Sequence, residues 1–292
     1  MRAGSGIFVP IMVRGEDSKV IWRIKDRLVP MEFPLVMGIL NTTPDSFHSG
    51  SRIGNDDVLR RAEKMLSDGA AILDIGGAST RPGAQEIPID EELDRVLPVI
   101  EMVHREFPEA LISIDTYRSK VAAEAVKAGA GMVNDIGAGI LDPETLSTVA
   151  QLHVPYVLMH MQGTPRMMQK APHYDDVVKE VTHFLSQRLN AARAAGIADI
   201  VIDPGFGFGK NADHNFALLK SIKTFKMLGV PVLAGLSRKR MINETIGTTP
   251  AEALNGTTVL NTIALLNGAD ILRVHDVKEA VECVKLVGRM GN

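Results

Sequence analysis

The sequence predicts an α/β protein of the TIM (β/α)8 barrel class with an N-terminal β-hairpin. From about Leu35 onward, short apolar runs alternate with helix-period segments, the pattern of a parallel sheet with crossover helices. The apolar runs are almost free of polar residues, as strands covered on both faces require. Eight such units occupy roughly 255 residues, the usual size of this barrel. A doubly wound open sheet would normally use fewer strands and place a glycine fingerprint after the first one. Here the first barrel strand is followed by Asn41-Thr-Thr-Pro-Asp-Ser-Phe47 instead.

Residues 1–34 form the expected extension. Two apolar runs, Ile7–Val13 and Val20–Ile24, flank Arg14-Gly-Glu-Asp-Ser18 and read as a β-hairpin closing the bottom of the barrel. Residues 35–292 form the barrel. Its expected strands are Leu35–Leu40, Ala71–Ile75, Leu111–Ile114 and Met132–Asn134, then Tyr156–Met159, Ile200–Ile202, Val232–Ala234 and Ile271–Val274.

The segments between them carry helical stripes. Val58, Leu59, Ala62, Met65 and Leu66 share one face, and Gly69 ends that helix. Leu93, Val96, Leu97, Ile100 and Val103 form the next stripe, and Val277, Ala280, Val281, Val284 and Val287 the last. Asp175–Gly196 is a longer helix with Val177, Val181, Leu185 and Leu189 on one side. Ser119 and Pro143 stand where helix N-termini want a cap or a first-turn residue.

Composition narrows the function. Hydrophobic residues make up 45% of the 292 and charged residues 23%, an ordinary globular mixture. Aromatics are only 4%, so the core must rest on aliphatic side chains. The net charge is -3 and no basic run occurs, which argues against nucleic acid as a partner. Cys283 is the only cysteine, so an internal disulfide and a cysteine-based metal site are excluded. It sits on an apolar helix face and reads as core. No apolar run reaches the roughly 18 residues of a membrane span. Met1–Val13 does not look like a signal peptide, so a cytoplasmic protein is expected. His48, His104, His153, His173, His183 and His214 show no metal-ligand spacing.

In this fold the chemistry sits where strands end and βα loops begin. Those positions carry Asn41, Asp74, Asp115, Asn134 with Asp135, His160, Asp203, Ser237 with Lys239, and Arg273 with His275. Burying so many polar groups inside an apolar barrel is costly without partners. Asp74 and Asp135 read equally well as internal hydrogen-bond partners. Asp115, Asn134 and Asp203 are compact acceptors suited to a flat heterocycle with several N–H donors. Arg81, Lys239, Arg273 and His275 suit phosphates or a departing anion. A pterin carrying a diphosphate has both features. The loops Asn41–Phe47 and Gly76–Gly83, rich in Gly, Pro, Ser and Thr, can move over such a site.

Gly205-Phe-Gly-Phe-Gly-Lys210 is not a nucleotide motif. A Walker loop needs four residues before its Gly-Lys pair and Ser or Thr after it, but here the spacing differs and Asn211 follows. The dinucleotide spacing Gly-x-Gly-x-x-Gly also fails. The segment reads as a flexible loop that offers Phe208 as a flat wall.

The ordered set of motifs closely resembles the dihydropteroate synthase family. It comprises Gly38-Ile-Leu-Asn-Thr-Thr-Pro-Asp-Ser-Phe47, Asp74-Ile-Gly-Gly-Ala-Ser-Thr-Arg-Pro-Gly83, Ser113-Ile-Asp-Thr116 and Asn134-Asp-Ile136. It continues with Leu158-Met-His-Met-Gln-Gly163, Asp203-Pro-Gly-Phe-Gly-Phe-Gly-Lys210, Ser237-Arg-Lys239 and Arg273-Val-His-Asp-Val277.

The resemblance implies a condensation of dihydropterin pyrophosphate with p-aminobenzoate by an SN1-like route, with Asp115, Lys239, Arg273 and His275 as catalytic residues. It implies that Asp115, Asn134, Asp203 and Lys239 hold the pterin edge, Arg273 stacks on its face, and Ile136, Met159, Phe208 and Gly235 line the slot. It implies that Asn41, Arg81 and His275 hold the pyrophosphate, with Mg²⁺ at Asn41. Thr80, Arg81, Pro82 and Ser237 would shape the p-aminobenzoate site, and Phe47 would help close it. A homodimer through the late helices follows from the same resemblance, as does a place among the enzymes that sulfonamides target. Two positions depart from it: Ala78 stands where Glu is frequent, and Thr42 where Val is common.

Three other readings share parts of this pattern. A corrinoid-dependent methyltransferase shares the barrel and pterin pocket but does not need Thr80-Arg81-Pro82 or Ser237-Arg238-Lys239. A Schiff-base aldolase using Lys239 lacks a carbonyl-substrate signature. A non-catalytic pterin binder should have lost Asn41, Arg81 and His275, all of which are present.

Overall fold

The computed structural model describes residues 20–42, 52–79, 86–164, 167–168 and 172–290. The chain enters through an antiparallel hairpin, β1 (Val20–Ile24) and β2 (Arg27–Met31). Its turn is Lys25–Asp26, with Lys25 at φ 59°. A hairpin was expected, but its second strand is Arg27–Met31. The earlier run Ile7–Val13 lies outside the described residues.

One face of the hairpin is dry. Trp22 and Met31 are buried against Met37, Ile72, Met132, Val157, Val201 and Ile271, while Ile21 and Leu28 on the other face are exposed. The hairpin therefore plugs the bottom of the barrel, and each side chain so buried stabilises by roughly 1.5–3 kcal/mol. Two hydrogen bonds tie it to the lower loops: Arg23 N donates to Asp199 Oδ2 at 2.6 Å, and Lys25 N to the His153 carbonyl at 2.8 Å.

Among the described residues, eight parallel strands form the barrel: β3 (Leu35–Asn41), β4 (Ile72–Gly76), β5 (Leu111–Asp115), β6 (Met132–Asp135), β7 (Tyr156–Met159), β8 (Ile200–Asp203), β9 (Leu233–Ala234) and β10 (Ile271–Val274). Their order around the sheet is β8-β7-β6-β5-β4-β3-β10-β9. A parallel bridge between Ile202 and Val232 joins its two ends and closes the barrel. Each strand matches an expected apolar run to within about two residues, a normal spread for strand ends.

The helices are α1 (Arg52–Ser67), α2 (Ile89–Glu106), α3 (Ser119–Ala128), α4 (Thr145–Leu152), α5 (Val177–Ala194), α6 (Ala212–Lys220), α7 (Ile222–Phe225), α8 (Arg240–Ile246), α9 (Leu254–Leu266) and α10 (Val277–Gly288). Their apolar stripes pack on the outer faces of the strands, as Val58, Val96, Val121, Val181 and Val277 do. Ser119 opens α3 but does not cap it. Its N–H is satisfied by Asp142 Oδ2, reaching over from the next loop at 2.8 Å. Asp176 does cap α5, accepting from Val178 N and Lys179 N.

Side chains alternate across a strand, so the lowest inward layer fixes the upper one. Ile72, Met132, Val157, Val201, Leu233 and Ile271 meet the plug. Two residues further along each strand, or just past it, come Asp74, Asn134, Met159, Asp203, Gly235 and Arg273. Leu111 and Met37 place Asp115 and Asn41 four residues on, on the same side. The barrel thus turns from apolar to polar inside, at the C-terminal ends of its strands.

Candidate active site

Arg273, on β10, is the hub of the upper layer. Its Nε donates to Asp74 Oδ2 and its Nη2 to Asp115 Oδ2, both at 2.6 Å. Asp74, fully buried on β4, also accepts from Asn134 Nδ2 at 3.1 Å. That bond uses the amide nitrogen of Asn134, so its amide oxygen is the group left to accept from a ligand. Burial opposes the guanidinium charge, but Asp74 and Asp115 more than offset it, so Arg273 is held more firmly protonated than usual.

Asp115 behaves differently. Burial pushes its carboxyl up to about 7, and Arg273 only partly pulls it back. Its Oδ1 is buried with no partner, as are Asp74 Oδ1 and Ser113 Oγ beside it. Buried acceptors are rarely left unpaired, and an upper-layer cluster of them points to a ligand with N–H groups or to water standing in for one.

The loop after β8 forms the opposite wall. Asp203 Oδ1 accepts from Gly205 N at 2.7 Å, and burial raises its pKa. Gly205 has φ 72°, and a Cβ there would overlap the His160 carbonyl, so only glycine fits. The Lys239 ammonium donates to the Phe206 carbonyl and lies 4.4 Å from the centre of the Phe208 ring. Burial lowers Lys239 to about 8, with Asp203 opposing.

The remaining expected residues divide into three groups. Ile136 and Met159 are buried, Phe208 is half-buried with its ring under Lys239, and a Cβ on Gly235 would meet open space. Ser237 Oγ lies 3.0 Å from His275 Nδ1 and accepts from His275 N at 3.2 Å, which fixes the imidazole at the exposed rim. Asn41 is half-buried at the end of β3, in register with Gly76. Phe47, Thr80, Arg81 and Pro82 lie outside the described residues. The stems of their second loop are tied on both sides: Arg95 Nη1 donates to the Gly77 carbonyl at 2.9 Å and Arg118 Nη2 to the Ile87 carbonyl at 2.7 Å.

Not every strand-end polar residue faces the lumen. Asp135 accepts from Gly137 N, Gly139 N and Tyr156 Oη and is an internal partner that shapes its own loop. His160 is buried edge-on against Phe184 and supports the β8 loop. Arg238, between Ser237 and Lys239, points away and forms a bidentate pair with Asp276 at 2.9 and 2.8 Å, joining the β9 and β10 loops. Sequence reasoning assigned no role to Lys210, which is buried beneath the β8 loop. Its sequence signal was its place at the end of the glycine run in the matching segment Asp203–Lys210.

The combined set offers a slot with acceptors at Asp115, Asn134 and Asp203, a donor at Lys239 and a guanidinium plane at Arg273. Such a slot can bind a flat heterocycle by its edge and one face.

A family model described as "Pterin binding enzyme" matches residues 37–275. The Escherichia coli K12 protein named dihydropteroate synthase is 45% identical over 260 residues, covering 88% of this chain and 92% of that one. A solved structure of Xanthomonas albilineans dihydropteroate synthase with 4-aminobenzoic acid is 44% identical with a TM-score of 0.86, covering 94% and 99% of the two chains. Another from that organism, in complex with 7,8-dihydropteroate, is 42% identical with a TM-score of 0.81, covering 92% and 98%.

Proposed function

The chain belongs to the dihydropteroate synthase family of pterin-binding enzymes, and on that footing we propose that it condenses (7,8-dihydropterin-6-yl)methyl diphosphate with 4-aminobenzoate to give 7,8-dihydropteroate and diphosphate. The observation that carries this reading at the residue level is the buried, unpaired Oδ1 of Asp115 beside Arg273, in a slot shared with Asn134, Asp203 and Lys239.

The residues divide the work as follows. Asp115, Asn134 and Asp203 accept from the N–H groups of the pterin edge, and Lys239 donates to a ring acceptor. Arg273 lies flat on the ring, its plane fixed by Asp74 and Asp115. Ile136, Met159, Phe208 and Gly235 exclude water from the slot. The methylene C–O bond breaks first and its electron pair leaves with diphosphate, held by Asn41, Arg81 and His275. The resulting cation is delocalised over the pterin and faces the Asp115 carboxylate. The aryl amine, seated by Thr80, Arg81, Pro82 and Ser237, then forms the C–N bond and gives its proton to solvent. The amine is a weak nucleophile, so the order suits a site with no dedicated strong base.

The donor set fits Mg²⁺ of a particular kind. Asn41 offers one neutral oxygen, and the described residues contain no cluster of three or more His, Cys, Asp or Glu. An ion held there would take most of its shell from water and diphosphate, as Mg²⁺ commonly does. When bound it would neutralise charge on the leaving diphosphate.

We also propose a homodimer through the late helices. Val259 and Leu266 on α9 and Leu286 on α10 are exposed, and a groove of about 450 Å³ runs between these helices. No helix among the described residues is long and apolar enough to cross a membrane. We place the enzyme in the cytoplasm, which cell fractionation tests.

Incubating the purified protein with the dihydropterin diphosphate, 4-aminobenzoate and Mg²⁺ tests the activity. The expected product has the mass and absorbance of 7,8-dihydropteroate. Unchanged substrates would overturn the reading.

A further inference from the structure

We infer that Lys210 is a positioning residue: its buried ammonium clasps the 205–209 loop and so places both Phe208 and the Phe206 carbonyl that holds Lys239. The inference rests on the pterin-slot reading above. Lys210 Nζ donates to the Gly205 carbonyl at 2.9 Å, to the Phe208 carbonyl at 3.0 Å and to His160 Nδ1 at 2.9 Å, with the His160 carbonyl at 3.4 Å. Three donors thus meet three close acceptors, and every acceptor is neutral. Burial, and then the nearby Lys210 charge, pulls His160 down to about 2, so its ring is neutral and has a nitrogen able to accept from Lys210.

The loop is built to wrap this amine. Gly205, Gly207 and Gly209 have φ of 72°, 82° and 66°, a left-handed conformation that favours glycine, and the turns they make point carbonyls inward. The two bonded carbonyls bracket Phe206, whose own carbonyl faces the other way and receives Lys239. The Lys239 stem lies against Gly207, where a Cβ would sit 3.1 Å from Lys239 Cδ. Asn215 Oδ1 accepts from Gly207 N at 2.8 Å, and Tyr174 Oη donates to the Gly209 carbonyl at 2.9 Å, closing the far side.

Stability alone does not explain the choice of residue. An ammonium buried among neutral acceptors loses its hydration, whereas a Met of similar length would fill the same volume at no such cost. What Met cannot do is draw the Gly205 and Phe208 carbonyls to one point. Burial pulls Lys210 down to about 7, with Asp203 opposing the fall and Lys239 adding to it, so the clasp is fully charged only below that pH. Asp203 accepts from Gly205 N and Lys239 donates to the Phe206 carbonyl, so the pterin-edge carboxylate and the second lysine both meet the loop that Lys210 clasps.

The test is Lys210→Met in the full chain. The KM for the dihydropterin diphosphate should rise by roughly tenfold or more, the loss expected when charge-assisted hydrogen bonds disappear, while the KM for 4-aminobenzoate stays within about twofold. Binding of pterin-6-carboxylate, measured by calorimetry, should weaken by the same roughly tenfold factor, and it reads the slot without any turnover. A wild type that binds this probe but makes no dihydropteroate would count against the proposed reaction and not against Lys210. Equal probe affinity in wild type and variant, or both KM values moving together, would overturn the inference. If Lys210→Met does not fold, Lys210→Gln keeps a buried polar donor but cannot bond all three acceptors. It should weaken the probe by roughly threefold or more, and unchanged affinity would overturn the inference.

Discussion

Arg273 stands between Asp74 and Asp115 and donates to one oxygen of each at the same distance, 2.6 Å. The two carboxylates are not equivalent. Asp74 is fully buried and also holds Asn134, so it acts as an anchor. Asp115 keeps an unpaired oxygen at the slot, so it is the one left to meet a substrate.

Removing the anchor should therefore cost more than removing a contact. Asp74→Ala leaves a buried guanidinium with half its partners and frees the Asn134 amide. Unfolding in urea should show a loss of about 3 kcal/mol, the scale for breaking a buried ion pair. A loss below about 0.5 kcal/mol, the usual size for a surface change, would contradict the anchoring role.

The pH profile should be narrow. Burial, only partly offset by Arg273, raises Asp115 to about 7, and burial lowers Lys239 to about 8. The ionised carboxylate and the ammonium coexist best between those values, so kcat/KM for the dihydropterin diphosphate should peak there. Lys239→Arg should move the alkaline limb upward. For stability the sign is opposite to that of an ordinary acid. Because the folded Asp115 holds its proton more tightly than the unfolded one, its contribution is full below about 4 and lost as pH rises through about 7. Urea midpoints across that range in wild type and Asp115→Asn check this.

Lys239→Ala should fold and lose most activity. A hydrogen bond from a charged donor is worth about 1.5–3 kcal/mol, so kcat/KM should fall by roughly 10- to 150-fold. Near-normal turnover would refute the role given to Lys239.

The hairpin should matter to the fold and not to the chemistry. Trp22 is 1% exposed at the bottom of the barrel, at the end opposite the site. Trp22→Ala should cost about 3–5 kcal/mol, the range for deleting a buried aromatic. The KM values should be unchanged at a temperature where the variant remains folded.

Much of this geometry was legible in the sequence because a strand repeats every two residues. Once Ile72, Met132, Val201 and Ile271 are taken as inward, Asp74, Asn134, Asp203 and Arg273 must follow them. What periodicity could not settle was the use of each polar group. Asp74 and Asp135 looked alike, yet one faces the lumen and the other binds the amides of its own loop. Lys210 was hidden because two of its close partners are backbone carbonyls, which leave no residue pattern. The hairpin's second strand was missed because Lys25–Asp26 lacks the Asn or Gly that usually marks a two-residue turn.

The central claim is that one slot both releases diphosphate and joins the pterin to the aryl amine. It is tested most directly by measuring diphosphate and 7,8-dihydropteroate together in one reaction with Mg²⁺. The account predicts equal amounts of the two products at every time point, and a parallel fall of both in Lys239→Ala. No dihydropteroate, or diphosphate released without it while 4-aminobenzoate saturates, would contradict it.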